Sequence, residues 1–60
     1  MKKFIVSLFY RQITNNQAKE RLWHNCINAN SIEEALGKAV TMAEIKFPGF
    51  DLVYHVETEI

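Results

Sequence analysis

Two histidines, one cysteine and a few neighbouring acids are the side chains of this 60-residue chain best suited to catalysis or metal binding. His24 and Cys26 stand two residues apart in a segment that reads as a strand, so they share a face with side chains roughly 7 Å apart. A thiol is activated by a base within hydrogen-bond reach, and this separation is about twice that. Cys26 therefore reads as a small apolar residue rather than a nucleophile. His55 falls in the last segment, which the topology derived below separates from His24 by a whole strand, about 9.6 Å across the sheet. A structural zinc site takes about four Cys or His ligands, and the chain holds one Cys and two His in all. The acids have other work: Glu33-Glu34 opens a helix, and Glu57 and Glu59 belong to a solvated strand face. Gly37 and Gly49 are isolated, so no phosphate-cradling loop exists. The expectation is a chain that is not an enzyme and carries no metal and no cofactor.

Binding chemistry has more support. An open sheet can offer aromatics for base stacking beside cations for phosphate. Lys3, Phe9 and Arg11 on the first strand, joined by His24 and by Arg21 or Lys19, form the candidate surface for a nucleotide or single-stranded nucleic acid. Asp51, Glu57 and Glu59, expected on the same face, oppose a polyanion, and a pI of about 6.7 is low for a nucleic-acid binder. The stronger expectation is protein–protein contact through Ile5, Phe9, Val53 and His55 on the outer sheet face, or through a sheet edge.

The elements that position these residues follow from periodicity. Lys3 to Arg11 is rich in β-branched and aromatic residues and reads as a strand. Phe4, Val6, Leu8 and Tyr10 form one side; Lys3, Ile5, Ser7, Phe9 and Arg11 form the other, which is half apolar. A strand apolar on both sides belongs in the middle of a sheet. Gln12 to Lys19, polar and containing Asn15-Asn16, reads as a loop or extended hairpin tip. Glu20 to Ala29 follows as a second strand with Trp23, Ile27 and Ala29 turned inward and a bulge expected near Asn25, which would otherwise share that side.

Ser31-Ile32-Glu33-Glu34 is a capping box in which the Ser31 hydroxyl accepts the Glu34 amide and the Glu34 carboxylate reaches back. Ile32, Ala35, Leu36, Ala39, Val40, Ala43 and Phe47 then recur at helical steps, and Pro48-Gly49 ends the helix. Gly37 either brings the helix close to its neighbour or costs about 1 kcal/mol of propensity. From Phe50 to Ile60 the alternation puts Phe50, Leu52, Tyr54, Val56 and Ile60 inside and Asp51, Val53, His55, Glu57 and Glu59 outside. The fold class is thus α+β, a ββαβ unit whose three-stranded mixed sheet has the order 2-1-3 and carries one amphipathic helix on one face. The whole chain, 1–60, is one domain.

Residues 29–39, Ala-Asn-Ser-Ile-Glu-Glu-Ala-Leu-Gly-Lys-Ala, resemble the strand-to-helix step of many small α+β proteins, among them antitoxins of the HicB type. The chain has no glycine-containing hairpin ahead of that helix, as HicB-like proteins do. The resemblance therefore implies the local step only.

A domain of this size buries only roughly 60% of the surface its unfolded chain exposes. Small folds compensate with disulfides, a metal or oligomerisation, and a single cysteine excludes an intrachain disulfide. The expected device is a homo-oligomer, a twofold dimer in particular. Apolar residues make up 48% and charged residues 23% of the chain, values of a folded domain. No apolar run reaches the ~20 residues of a membrane span, and a cytoplasmic location fits the lone thiol. Charge is uneven: residues 1–21 carry five basic side chains against Glu20, residues 22–60 two against six acids. Such asymmetry most often only solvates the surface; its other readings are self-contact and a basic hairpin facing nucleic acid. The functional expectation is a small homo-oligomeric binding protein of the accessory or regulatory kind.

Overall fold

The computed structural model describes all sixty residues as two long strands, β1 (Lys2–Thr14) and β2 (Gln17–Ala29), a helix, α1 (Ile32–Lys46), and a third strand, β3 (Asp51–Glu59). β1 is central, and the sheet order is β2-β1-β3. Both neighbours pair with β1 antiparallel. The expected mixed sheet is therefore corrected to a wholly antiparallel one. β3 does run parallel to β2, but β1 lies between them, and a sheet takes its character from adjacent strands.

The hairpin is tighter than the polarity of residues 12–19 suggests. β1 runs to Thr14 and β2 starts at Gln17, with Thr14 opposite Gln17. Only Asn15 and Asn16 form the turn, at φ 51° and 63°. Two consecutive left-handed residues match the type I′ turn, whose twist suits a hairpin, and asparagine tolerates that conformation better than most residues. The bulge expected near Asn25 is absent, because the β1–β2 register runs unbroken from Lys2↔Ala29 to Thr14↔Gln17. Asn25 stays on the side of Trp23 and Ile27 but is exposed on an edge strand, where its Oδ1 accepts the Cys26 amide at 2.8 Å.

Ser31 caps α1 as its sequence predicts, accepting the Glu34 amide on Oγ at 3.2 Å. The Glu34 carboxylate accepts the amide of Asn30 rather than that of Ser31. Beyond Phe47 the chain turns through Gly49 at φ 83°, a left-handed position where a Cβ would also stand 3.3 Å from Gln12 Nε2.

Ten residues are buried, and they form one cluster: Phe4, Val6, Leu8 and Tyr10 from β1, Trp23, Ile27 and Ala29 from β2, and Ala35, Ala39 and Ala43 from α1. The strand members all belong to one alternation phase, hereafter the core face. The small alanine side chains let the helix backbone approach these larger residues, with Leu36, Val40, Phe47 and Phe50 closing the margin. Gly37 has open space on its Cβ side, so it does not serve close packing and simply weakens the helix by about 1 kcal/mol. No residue of β3 is buried. A helix roughly 10 Å across covers about two strands spaced ~4.8 Å apart, and α1 lies against β1 and β2.

Candidate functional site

The face of the sheet opposite the core is the candidate site, and β3 determines its content. Tyr10 pairs with Leu52 and Phe9 with Tyr54, leaving Val53 between them as the extra residue of a bulge. One extra residue reverses the phase of everything beyond it. Leu52 therefore shares the core face with Tyr10, while Tyr54, Val56 and Thr58, opposite Phe9, Ser7 and Ile5, turn to the open face. The expectation that Tyr54 and Val56 point inward, with His55, Glu57 and Glu59 outward, is overturned.

The open face then reads, strand by strand, Leu22, His24 and Cys26 on β2, Ile5, Ser7 and Phe9 on β1, and Tyr54, Val56 and Thr58 on β3. Phe9 and Tyr54 stack with ring centroids 5.2 Å apart and planes 17° from parallel. Leu22 is 62% exposed, Tyr54 56%, Val56 50% and Ile5 45%. Charges stand only at the ends. Lys3 lies at one end; at the other, Arg11 stands between Glu20 and Asp51, with Arg11 Nη2 3.4 Å from Glu20 Oε2. Such an exposed pair contributes little to stability, but it leaves that end net negative and the Lys3 end positive.

Of the residues singled out by sequence, Lys3, Ile5, Phe9, Arg11 and His24 meet on this face. Val53 sits in the bulge. Arg21 does not join them: it pairs with Tyr10 on the core face, and its guanidinium lies 5.6 Å from the Phe50 ring centroid. His55 does not join them either. It stands opposite Leu8, its Nδ1 2.9 Å from Glu57 Oε1, on the far side of the sheet from His24. The acids Glu57 and Glu59 leave with it, so the repulsion anticipated on the open face is reduced to Asp51 and Glu20. Leu22, Cys26, Tyr54 and Val56 are the contributors that sequence reasoning passed over. The run Leu52-Val53-Tyr54, three apolar residues in succession, is the visible sign of broken alternation.

No group of three or more His, Cys, Asp or Glu side chains converges. The shallow hollow on α1, lined by Glu34, Gly37, Lys38, Thr41 and Met42, holds charged groups already engaged: Glu34 in the cap and Lys38 Nζ donating to the Asn28 carbonyl at 2.8 Å. No helix is long and apolar enough to cross a membrane. Comparison of the chain with protein-family models, with curated proteins and with solved structures finds no match.

Proposed function

We propose that this chain is a small binding protein that works through protein–protein contact on the open face of its sheet, and that it self-associates there. The observation that carries the reading is the β3 bulge, which brings Tyr54 and Val56 to the side of Ile5, Phe9 and Leu22. That apolar surface lies opposite a core of only ten buried residues, and a contiguous exposed apolar patch ordinarily marks a contact site. Three strands at ~4.8 Å spacing and ~3.4 Å per residue, without the projecting hairpin tip, give roughly 500 Å² of face per copy. A pair of copies would bury about 1,000 Å², the size at which a specific interface begins.

Charge also favours a protein over a polyanion. The two cations of the open face, Lys3 and Arg11, are balanced by Glu20 and Asp51, and its centre is uncharged. A nucleotide stacked near Phe9 is the lesser reading, since Phe9 already stacks on Tyr54 and Arg11 already contacts Glu20. An accessory or regulatory role in a reducing compartment such as the cytoplasm is consistent with the small size and the single unpaired thiol.

Sedimentation velocity at micromolar concentration tests this. The expected result is a dimer for the native chain and a folded monomer for Leu22→Lys, whose new ammonium would be desolvated only in the dimer. A well-dispersed, monomeric native chain at high micromolar concentration sinks the proposal. Thermal shifts with a nucleotide panel separate the lesser reading.

A further inference from the structure

Granting that self-association, we infer that the two copies meet open face to open face about a twofold axis running across the strands along the row His24–Ser7–Val56, with the strands of one copy antiparallel to those of the other. The three residues lie side by side, His24 opposite Ser7 and Ser7 opposite Val56. They are also the midpoint of the uncharged region on each strand: Leu22 and Cys26 flank His24, Ile5 and Phe9 flank Ser7, and Tyr54 and Thr58 flank Val56.

Aligned packing of two sheets keeps their strands within about 30° of each other, which leaves two twofold arrangements. With the axis along the strands, each Lys3 end falls on the other copy's Lys3 end, and the net negative ends carrying Arg11, Glu20 and Asp51 also coincide. Like charges then meet at both ends. With the axis across the strands, Ile5 faces the second copy's Phe9, and each Lys3 faces the second copy's Arg11 with that copy's Glu20 and Asp51 one strand to either side, so that a lone cation meets an end of net negative charge. Electrostatic complementarity therefore selects the antiparallel arrangement.

This geometry has a regulatory consequence. An axis through the His24–Ser7–Val56 row sets His24 against the second copy's His24. Within one chain its neighbours on that face are Leu22, Cys26 and Ser7. β2 is an edge strand, α1 lies on the other side, and Glu20 is four residues along the strand, roughly 13 Å away. No carboxylate faces the imidazole to offset a second proton. Two facing imidazolium ions repel, so the dimer binds fewer protons than two monomers and weakens as pH falls through the imidazole range. Turned along the strands, the axis would instead lay His24 against Val56, without this pairing.

The test uses the native chain and His24→Gln, a change at an exposed position. Dissociation constants are measured by sedimentation at pH 7.5 and at pH 5.5, the latter still above the ordinary carboxylate range. Isotope-filtered NOE spectra are recorded on mixed labelled and unlabelled chains at pH 7.5. The expected results are intermolecular Ile5–Phe9 contacts, a dissociation constant at least tenfold larger at pH 5.5 for the native chain, and less than a twofold change for His24→Gln. Ile5–Ile5 contacts between copies, or an acid effect that is absent or survives in His24→Gln, overturn the arrangement; survival would assign the effect to His55 on the other face. A monomer at both pH values overturns the self-association on which the inference rests.

Discussion

Tyr10 carries its ring into the centre of the core at 1% exposure, and its hydroxyl has no hydrogen-bond partner among the surrounding protein groups. The ring packs near Phe47, with centroids 6.0 Å apart, and that contact explains an aromatic residue there. It does not explain the hydroxyl, since a buried polar group left unpaired costs about 1–3 kcal/mol. Burial, followed by the nearby Glu44 carboxylate, raises the Tyr10 pKa above 10.0. The folded state therefore holds its proton more tightly than the unfolded state does. Stability from this group is complete below the unfolded value and is lost as pH rises through the folded one. Two outcomes are expected from urea titrations at pH 7 and pH 11. Tyr10→Phe equals or exceeds the native chain in stability at pH 7 by up to ~2 kcal/mol, and its margin over the native chain widens at pH 11. A Phe variant markedly less stable at pH 7 would show that the hydroxyl has a partner in solution. Alternation along β1 was enough to place Tyr10 inside. Its missing partner was not legible, because it depends on which helix residues lie above the ring.

Among the elements, legibility followed the strength of the local signal. Ser31, Glu34 and the alanine stripe define α1 through interactions within four residues of each other, and the helix forms where they predict. β1 shows its central place because both of its faces are apolar, and a residue pattern carries that without any knowledge of its partners. The polar stretch 12–19 left loop and extended hairpin tip both open, and it is the hairpin that forms, because strand polarity reflects exposure: the hairpin projects beyond the helix, so its residues have no reason to be apolar. β3 misled for a related reason. Its alternation is real, but which phase faces the core depends on register against β1 and on a helix too narrow to cover a third strand. Removing Val53 isolates this point. Since Leu52 and Tyr54 already pair with Tyr10 and Phe9, deleting the residue between them restores an ordinary ladder without changing which face Tyr54 and Val56 occupy. NOEs between the Phe9 and Tyr54 rings are expected to persist in the deletion variant. Their loss would mean that the apolar alternation of β3, rather than its pairing with β1, sets the register.

At the scale of the whole molecule, the chain is longer and thinner than its size requires. Its extents are 43 × 17 × 14 Å and its radius of gyration is 12.3 Å, against about 10.4 Å for a compact domain of sixty residues. Its accessible surface, 4302 Å², also exceeds the roughly 4,000 Å² typical of a monomer of this mass. The excess comes from a hairpin extending past the helix and a third strand without a buried residue. A sheet backed by one helix over two of three strands has half a core, and the open face supplies apolar residues where the other half would sit. If a second copy completes it, folding and association are linked, and stability must depend on chain concentration. For a dimer of 120 residues unfolding in one step, a hundredfold rise in concentration raises Tm by about 10 °C, taking ~2.1 cal/mol/K per residue. Leu22→Lys is expected to melt at a lower temperature that does not move with concentration. A native chain whose Tm is equally flat would place the whole of its stability in the ten-residue core, and the open face would then be a surface held ready for a different protein.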